Sequence, residues 1–333
     1  MNEEIDFVVL WVDDRDYKWQ LEKQKFQKKY GVDNSNAINR YRDWDNMKYW
    51  FRSVEKFAPW VRKIHFVTYG HLPKFLNIDA PKLHIVKHED FIDKKYLPLF
   101  NSCAIEINIH KIPGLSDKFV YFNDDMFLLQ PVKPTDFFRN ELPCYEGLQG
   151  TITSVGDGNS YAHQLLNDIN IINKNFNKKE QINKNFLKWY NYRYGFESFR
   201  NLLLSPWKKF TGFKNAHLPA PYLKSTFEEL WLTEKNSLLE TCEHRFRSYY
   251  DLNQYVFRYW QLAKGEFYPK LSNGKRYEVS EENIANIKNE IVKQKHREIC
   301  INDPENDINF EALKKEINEA FTMILKVPSS FEK

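Results

Sequence analysis

The chain has 333 residues, 42% hydrophobic and 16% aromatic, enough to build a substantial core and to exclude a disordered chain. A net charge of +4 is mild for this length; it suits an anionic small-molecule substrate and makes no case for a nucleic-acid partner. Four widely spaced cysteines, Cys103, Cys144, Cys242 and Cys300, with no CxxC, imply neither a zinc framework nor a disulfide scaffold and predict buried reduced thiols, as in cytosol. The opening MNEEID is acidic where a signal peptide is basic, and the apolar run at 7–12 is too short to span a bilayer. A soluble cytoplasmic protein is expected, with peripheral contact at the inner face of the membrane left open.

IDFVVLWV at 5–12 reads as a central strand ending in the acidic turn Asp13-Asp14-Arg15-Asp16. Residues 20–30, rich in Lys and Gln, read as a solvated helix or loop. Within 43–60, Met47, Trp50, Phe51, Val54 and Phe57 form the stripe of an amphipathic helix, with Asp43 or Asp45 as cap and Pro59 as stop. Arg40, Arg42 and Asp43 lie at or just before its start, where surface pairing competes with contacts to phosphate or ribose. IHFVT at 64–68 and LHIV at 83–86 predict two more strands. After Pro98, Asn101 or Ser102 can cap a helix carrying Ile105, Ile109 and Ile112.

The most informative stretch follows, FVYFNDDMFLL at 119–129. A buried strand stops at Asn123-Asp124-Asp125, and a second apolar run begins at once. Adjacent carboxylates in such surroundings are costly to desolvate unless a partner compensates them, and oxygen donors suit Mg²⁺ or Mn²⁺. The competing reading is a surface turn, since Asn-Asp-Asp is good turn chemistry. The order strand, helix, strand, strand, helix, strand predicts an α/β domain with a largely parallel sheet. No GxGxxG follows the first strand, which disfavours a dinucleotide fold.

Beyond 140 the character changes. Glycines cluster at Gly147, Gly150, Gly156 and Gly158, and 174–193 carries six basic residues against Glu180 alone. This reads as a solvated helical insertion, or as a cradle for an anionic acceptor or a membrane surface. In HLPAP at 217–221, prolines on both sides of Ala220 are expected to forbid regular structure there and to fix the backbone. His217 beside them is either structural or a general base. His244-Arg245-Phe246-Arg247 sets two guanidinium forks two residues apart, suited to a pyrophosphate or to an exposed patch on a helix. Ile284, Ile287 and Ile291 mark a helix within 280–299. Ile301-Asn302-Asp303-Pro304 forms another acidic turn, and Leu313, Ile317, Phe321 and Ile324 mark a final helix before Pro328.

Four blocks then resemble one family. IDFVVLWVDDRD resembles the first signature block of the Stealth proteins, with Asp14-Arg15 where that family has Gly-Ser. RYRDWDNMKYWFRSVEKFAPWVRKIHFVTYGHLPKFL, continuing through LPLFNSCAIEINIHKIPGLSDKFVYFNDDMFLL, resembles the second. KNAHLPAPYLKSTFEELW resembles the third and EICINDPEN the fourth, all in family order. The resemblance implies a glycosyltransferase-A-like α/β fold, a mostly parallel sheet flanked by helices, with a mainly helical insertion and C-terminal helices. It implies a sugar-1-phosphate transferase of capsular or cell-wall polysaccharide synthesis, with Asp124-Asp125, His217, Arg245, Arg247 and Asn302-Asp303 in its site.

The expectations are therefore these. A UDP-sugar donor and a glycan or lipid-linked glycan acceptor meet at Mg²⁺ or Mn²⁺ held by Asp124, Asp125, Asn302 and Asp303. Asp125, His217 and Arg247 are catalytic, with His217 the base. Asp13, Arg42, Asn101, Ser102, Asn123 and Arg245 contact substrate. Residues 1–139 form the nucleotide-sugar part, 140–215 an acceptor-side insertion, and 216–333 complete the site. The competing readings are a metal-dependent glycosyltransferase that releases UDP, and a non-catalytic glycan-binding module.

Overall fold

Strand β1 (Ile5–Trp11) is buried along almost its whole length because both faces of its sheet are covered. The computed structural model describes residues 4–32, 42–153, 160–303 and 309–333. β1, β2 (Ile64–Thr68), β3 (Leu83–Lys87) and β4 (Lys118–Phe122) pair in parallel. Three short strands follow, β5 (Met126–Leu128), β6 (Phe138–Arg139) and β7 (Leu142–Tyr145). The last are β8 (Ala220–Leu223), β9 (Tyr268–Pro269), β10 (Gly274–Glu278) and β11 (Glu298–Asn302). The main sheet runs β3-β2-β1-β4-β8, with β8 antiparallel to β4; a second runs β10-β11-β5 and a third β6-β7-β9. The fold is α/β with a mostly parallel main sheet, as expected.

Side-chain alternation divides the interior in two. Ile5, Phe7, Val9, Val120 and Phe122 face one core; Val8, Phe119 and Tyr121 face the other. The helix Met47–Phe57 covers the first face with the predicted stripe. The final helix Phe310–Ile324 locks onto it, with Phe321 stacked on Tyr49 at 5.6 Å and against Phe127 at 4.6 Å. On the second face, helices Lys224–Thr233 and Tyr255–Lys264 meet through Phe227 and Phe257, stacked at 3.6 Å.

Several local expectations are corrected. The helix Met47–Phe57 has Asn46 at its N-cap and no side-chain cap bond. Asp43 and Asp45 are instead drawn to Arg15 at 2.8 Å each, and Asp43 also accepts the Asp45 amide. The proline-flanked Ala220 lies in a regular strand, because β8 is an edge strand and an edge tolerates residues that cannot donate to a ladder. The helix predicted within 280–299 is Ile284–Lys293, and 298–302 is strand, with Asp303 directly after it. Arg245 and Arg247 follow the helix Lys235–Glu243 and are not on it. Arg40, Gly156, Gly158 and Pro304 lie outside the described residues.

Residues 161–203 are mainly helical, as predicted. β8, from the C-terminal part, completes the sheet of the N-terminal part, so the two interlock. All four cysteines are free. Among the described residues, no helix is long and apolar enough to cross a membrane.

Candidate active site

Parallel strands bring their carboxyl ends to one edge, where ligands gather in open α/β sheets. At that edge β1 ends in Asp13-Asp14 and β4 in Asn123-Asp124-Asp125. The β4–β5 turn carries the chain from the main sheet to the second. Asp125 is pinned there, its carbonyl accepting the Ile301 amide at 2.9 Å. Its Oδ2 accepts the Cys300 thiol at 3.2 Å and faces His217 Nε2 at 3.8 Å. Asp303, one residue past β11, has Arg42 Nη1 at 3.6 Å.

The electrostatics split the adjacent aspartates. Burial, then the negative charges of Asp125, Asp43 and Asp303, push Asp124 up to about 8. Burial pushes Asp303 to about 6, which Arg42 only partly offsets, and burial likewise takes Asp43 to about 6. Burial would also raise Asp125, but His217, Cys300 and Arg276 outweigh it and hold that carboxylate below its usual range.

These residues fit a divalent cation. Asp125 Oδ1 and both carboxylate oxygens of Asp303 are buried with no hydrogen-bond partner. Buried carboxylate oxygens left short of hydrogen bonds, with Arg42 at 3.6 Å from Asp303 against several mutually repelling carboxylates, are costly, and hard oxygen donors suit Mg²⁺ or Mn²⁺. Donor atoms of Asp125, His217 and Cys300 also lie within 4.8 Å of one another. Burial holds the Cys300 thiol well above its usual range, so it keeps its proton and serves Asp125 as a hydrogen-bond donor. Asn302 turns its amide to the Asp303 carbonyl at 3.1 Å.

His217 sits at φ +49°, in the left-handed region that non-glycine residues occupy at a cost of order 1–3 kcal/mol, often at functional sites. Its Nδ1 lies 2.8 Å from the Tyr255 hydroxyl. Tyr255 is buried and its phenol is raised well above the usual range, so it stays neutral and fixes the ring with Nε2 toward Asp125.

A second network reaches the same turn. Arg247 Nη2 donates to Ser102 Oγ at 2.9 Å. Its charge bears on buried Glu106, whose carboxyl is raised by burial despite that cation. The Tyr121 hydroxyl lies 3.2 Å from Glu106 and 2.6 Å from Asn123 Oδ1, beside Asp124. Arg247, Ser102 and Asn123 thus lie along one network through Glu106 and Tyr121.

Two other candidates occupy framework positions. Asn101 is fully buried, caps the helix Ser102–Glu106, and donates to Asp251 Oδ2 at 2.9 Å and the His244 carbonyl at 3.0 Å. Arg245 commits its fork to the carbonyls of Lys95, Tyr96 and Pro98 and to the Tyr30 hydroxyl. Asp13 accepts Arg15 Nε at 3.2 Å, and its amide donates to His71 Nε2 at 2.8 Å. Three neighbours escaped the sequence reading: Tyr255, Cys300 and Arg276, the last exposed on β10 opposite Cys300. Tyr255 and Arg276 reach the site through tertiary pairing with no local motif to announce them, whereas Cys300 lies within the block EICINDPEN, two residues before Asn302.

Residues 40–144 match the family model described as Stealth protein CR2, conserved region 2. The capsular polysaccharide phosphotransferase WcwK of Streptococcus pneumoniae is 44% identical to this chain, over 99% of this chain and 98% of the relative. The chain belongs to the Stealth family of polysaccharide phosphotransferases. The exopolysaccharide phosphotransferase cps2G of Lactiplantibacillus plantarum is 40% identical over 99% of this Stealth chain and 96% of its own. The galactosyltransferase LgtC, solved with donor and acceptor sugar analogues, aligns over 97% of this chain and 98% of that one. Its TM-score of 0.39 and 11% identity are too low to argue from. In this Stealth protein the matched region holds Arg42, Asn101, Ser102 and Asn123–Asp125, whereas His217, Arg245, Arg247, Asn302 and Asp303 lie beyond it.

Proposed function

We propose that this chain transfers a sugar-1-phosphate from a UDP-sugar to a hydroxyl of a glycan acceptor, free or lipid-linked, on the cytoplasmic side of capsule or cell-wall polysaccharide synthesis. The observation that carries the proposal is the facing of His217 Nε2 and a carboxylate cluster with partnerless buried oxygens. Asp124, Asp125 and Asp303 would hold Mg²⁺ or Mn²⁺, with Asn302 beside them; when bound, the ion neutralises charge on the donor phosphates. In the tautomer this reading requires, His217 Nδ1–H donates a hydrogen bond to the Tyr255 hydroxyl and Nε2 would receive the acceptor hydroxyl proton. Asp125, kept ionised, stabilises the imidazolium that results. The acceptor oxygen bonds to the β-phosphorus as the bond from that phosphorus to the bridging oxygen breaks, and UMP departs. Arg247 offers a planar fork to the donor phosphate, with Ser102 and Asn123 orienting the donor.

An acidic turn at a strand end equally serves a glycosyltransferase, in which the acceptor attacks the sugar carbon and UDP leaves. The product decides between them. Purified protein given a panel of UDP-sugars and a glycan acceptor should release UMP, and phosphorus NMR of the product should show a phosphodiester. A phosphorus-free product with UDP released would overturn the proposal in favour of sugar transfer. No donor turnover under any condition would favour a binding module.

Arg247→Lys keeps the charge and loses the fork. Charge-assisted hydrogen bonds are worth about 1.5–3 kcal/mol, so turnover should fall by about 10- to 100-fold in steady-state assays. Unchanged turnover would reduce Arg247 to a brace for Ser102.

A further inference from the structure

We propose that the outer face of residues 186–207 is a docking surface for an anionic lipid bilayer. Leu187, Phe196, Phe199, Leu202, Leu203 and Trp207 are all exposed there, Phe196 completely. Soluble proteins rarely concentrate so many large apolar side chains on water, and such patches mark protein or membrane contacts.

The face is built and held outward. Trp189 and Tyr194 are buried beneath it. Asn201, also buried, donates to the carbonyls of Gly147 at 2.7 Å and Trp189 at 2.6 Å and accepts the Gln149 amide at 2.7 Å. The Tyr194 hydroxyl joins the Gly147 amide at 2.8 Å to the Lys188 carbonyl at 2.9 Å. In the helix Phe199–Leu203, the residues at i, i+3 and i+4 are the exposed Phe199, Leu202 and Leu203, while Asn201 points inward. The core has no use for these outward side chains.

Charge selects the occupant. Residues 184–209 carry Lys184, Lys188, Arg193, Arg200, Lys208 and Lys209 against Glu197 alone. Glu197 is already met by Arg200 at 3.5 Å and Lys214 at 3.4 Å. Basic residues interleaved with Trp, Tyr, Phe and Leu suit a surface that is negative outside and apolar just beneath. A second copy of this chain would bring two basic faces together, which like-charge repulsion opposes. The base of the segment adjoins the strip leading to His217, since the Lys214 amide donates to the Leu148 carbonyl at 2.9 Å. The inference rests on exposure and charge and is independent of the reaction proposed above.

The test is sedimentation of the full chain with vesicles of phosphatidylcholine, with or without phosphatidylglycerol. Wild type should pellet with the mixed vesicles, less so at high salt, and hardly with phosphatidylcholine alone. The triple variant Phe196→Ser, Phe199→Ser, Leu203→Ser should lower partitioning at least about tenfold, as apolar burial drives interfacial binding. Arg193→Glu with Lys208→Glu should do the same, since each cation near an anionic surface is worth roughly fivefold. All five positions are exposed, so wild-type circular dichroism is expected. No binding by wild type, or binding that both variants retain, would overturn the proposal. So would a lipid-free dimer that the triple variant abolishes, which would make the face a self-association surface.

Discussion

Asp125→Asn should cut turnover by about 10²–10³-fold while leaving the fold intact, the scale on which single preorganised electrostatic groups act. The variant keeps an oxygen to accept the Cys300 thiol but loses the charge that faces His217 and would help hold a cation. EDTA should have a comparable effect, and Mg²⁺ or Mn²⁺ should restore activity. Full turnover with verified metal absence would sink this reading. Melting temperature gives a second readout. Asp124 titrates near 3.8 when unfolded and is raised to about 8 in the fold. Below about pH 4 both states hold the proton and nothing is lost. As pH rises toward 8 the unfolded chain ionises while the fold resists, so metal-free protein should lose stability over that window. Asp124→Asn should remove the loss, raising the melting temperature in EDTA at pH 8 and weakening stabilisation by added Mg²⁺. If Mg²⁺ stabilised that variant as much as wild type, Asp124 would have no part in holding the ion.

His217→Gln should lower turnover by about 10²–10⁴-fold, the usual contribution of a general base, with donor binding largely kept. The candidate base meets two geometric demands. Tyr255 holds one ring nitrogen, and the other faces the carboxylate cluster. The backbone is held at a positive φ to place it there. In the variant, the acidic limb of the rate profile that belongs to the base should disappear. Near-normal turnover with an unchanged profile would return His217 to a structural role and shift the base to a carboxylate such as Asp124. Tyr255→Phe separates positioning from proton transfer: it should reduce turnover less than His217→Gln and leave an acidic limb in place.

Much of this architecture could be read from local pattern. β1 and β4 are mostly apolar because both of their faces are buried, the exception in β1 being Asp6, which is met by Arg62 and His65, and the stripe of Met47–Phe57 has only one face to cover. The acidic turn was conspicuous because carboxylates interrupt such a run. What could not be read depends on distant partners. Asp43 has the chemistry and position of a helix cap, but Arg15, distant in sequence, engages it. Pro221 has the chemistry of a strand breaker, but β8 lies at a sheet edge, which tolerates it. Asn101 and Arg245 have the chemistry of ligand contacts, but the capping and carbonyl bonds that engage them are set by tertiary packing. Tyr255 and Arg276 give no local sign, since a helix and an outlying strand deliver them across the fold.

The turn at Asp125 also fixes when the site can come into being. Its carbonyl and carboxylate are tied to Ile301 and Cys300, on a strand that is synthesised long after β4. The main parallel strands could assemble earlier and would still present an incomplete acidic edge. Contacts this distant in sequence form slowly, because the intervening loop must be closed before they give anything back. Catalytic competence is therefore expected late on the folding path. A refolding chain should regain its secondary structure before it regains turnover, with the docking of β11 against β5 as the step between them.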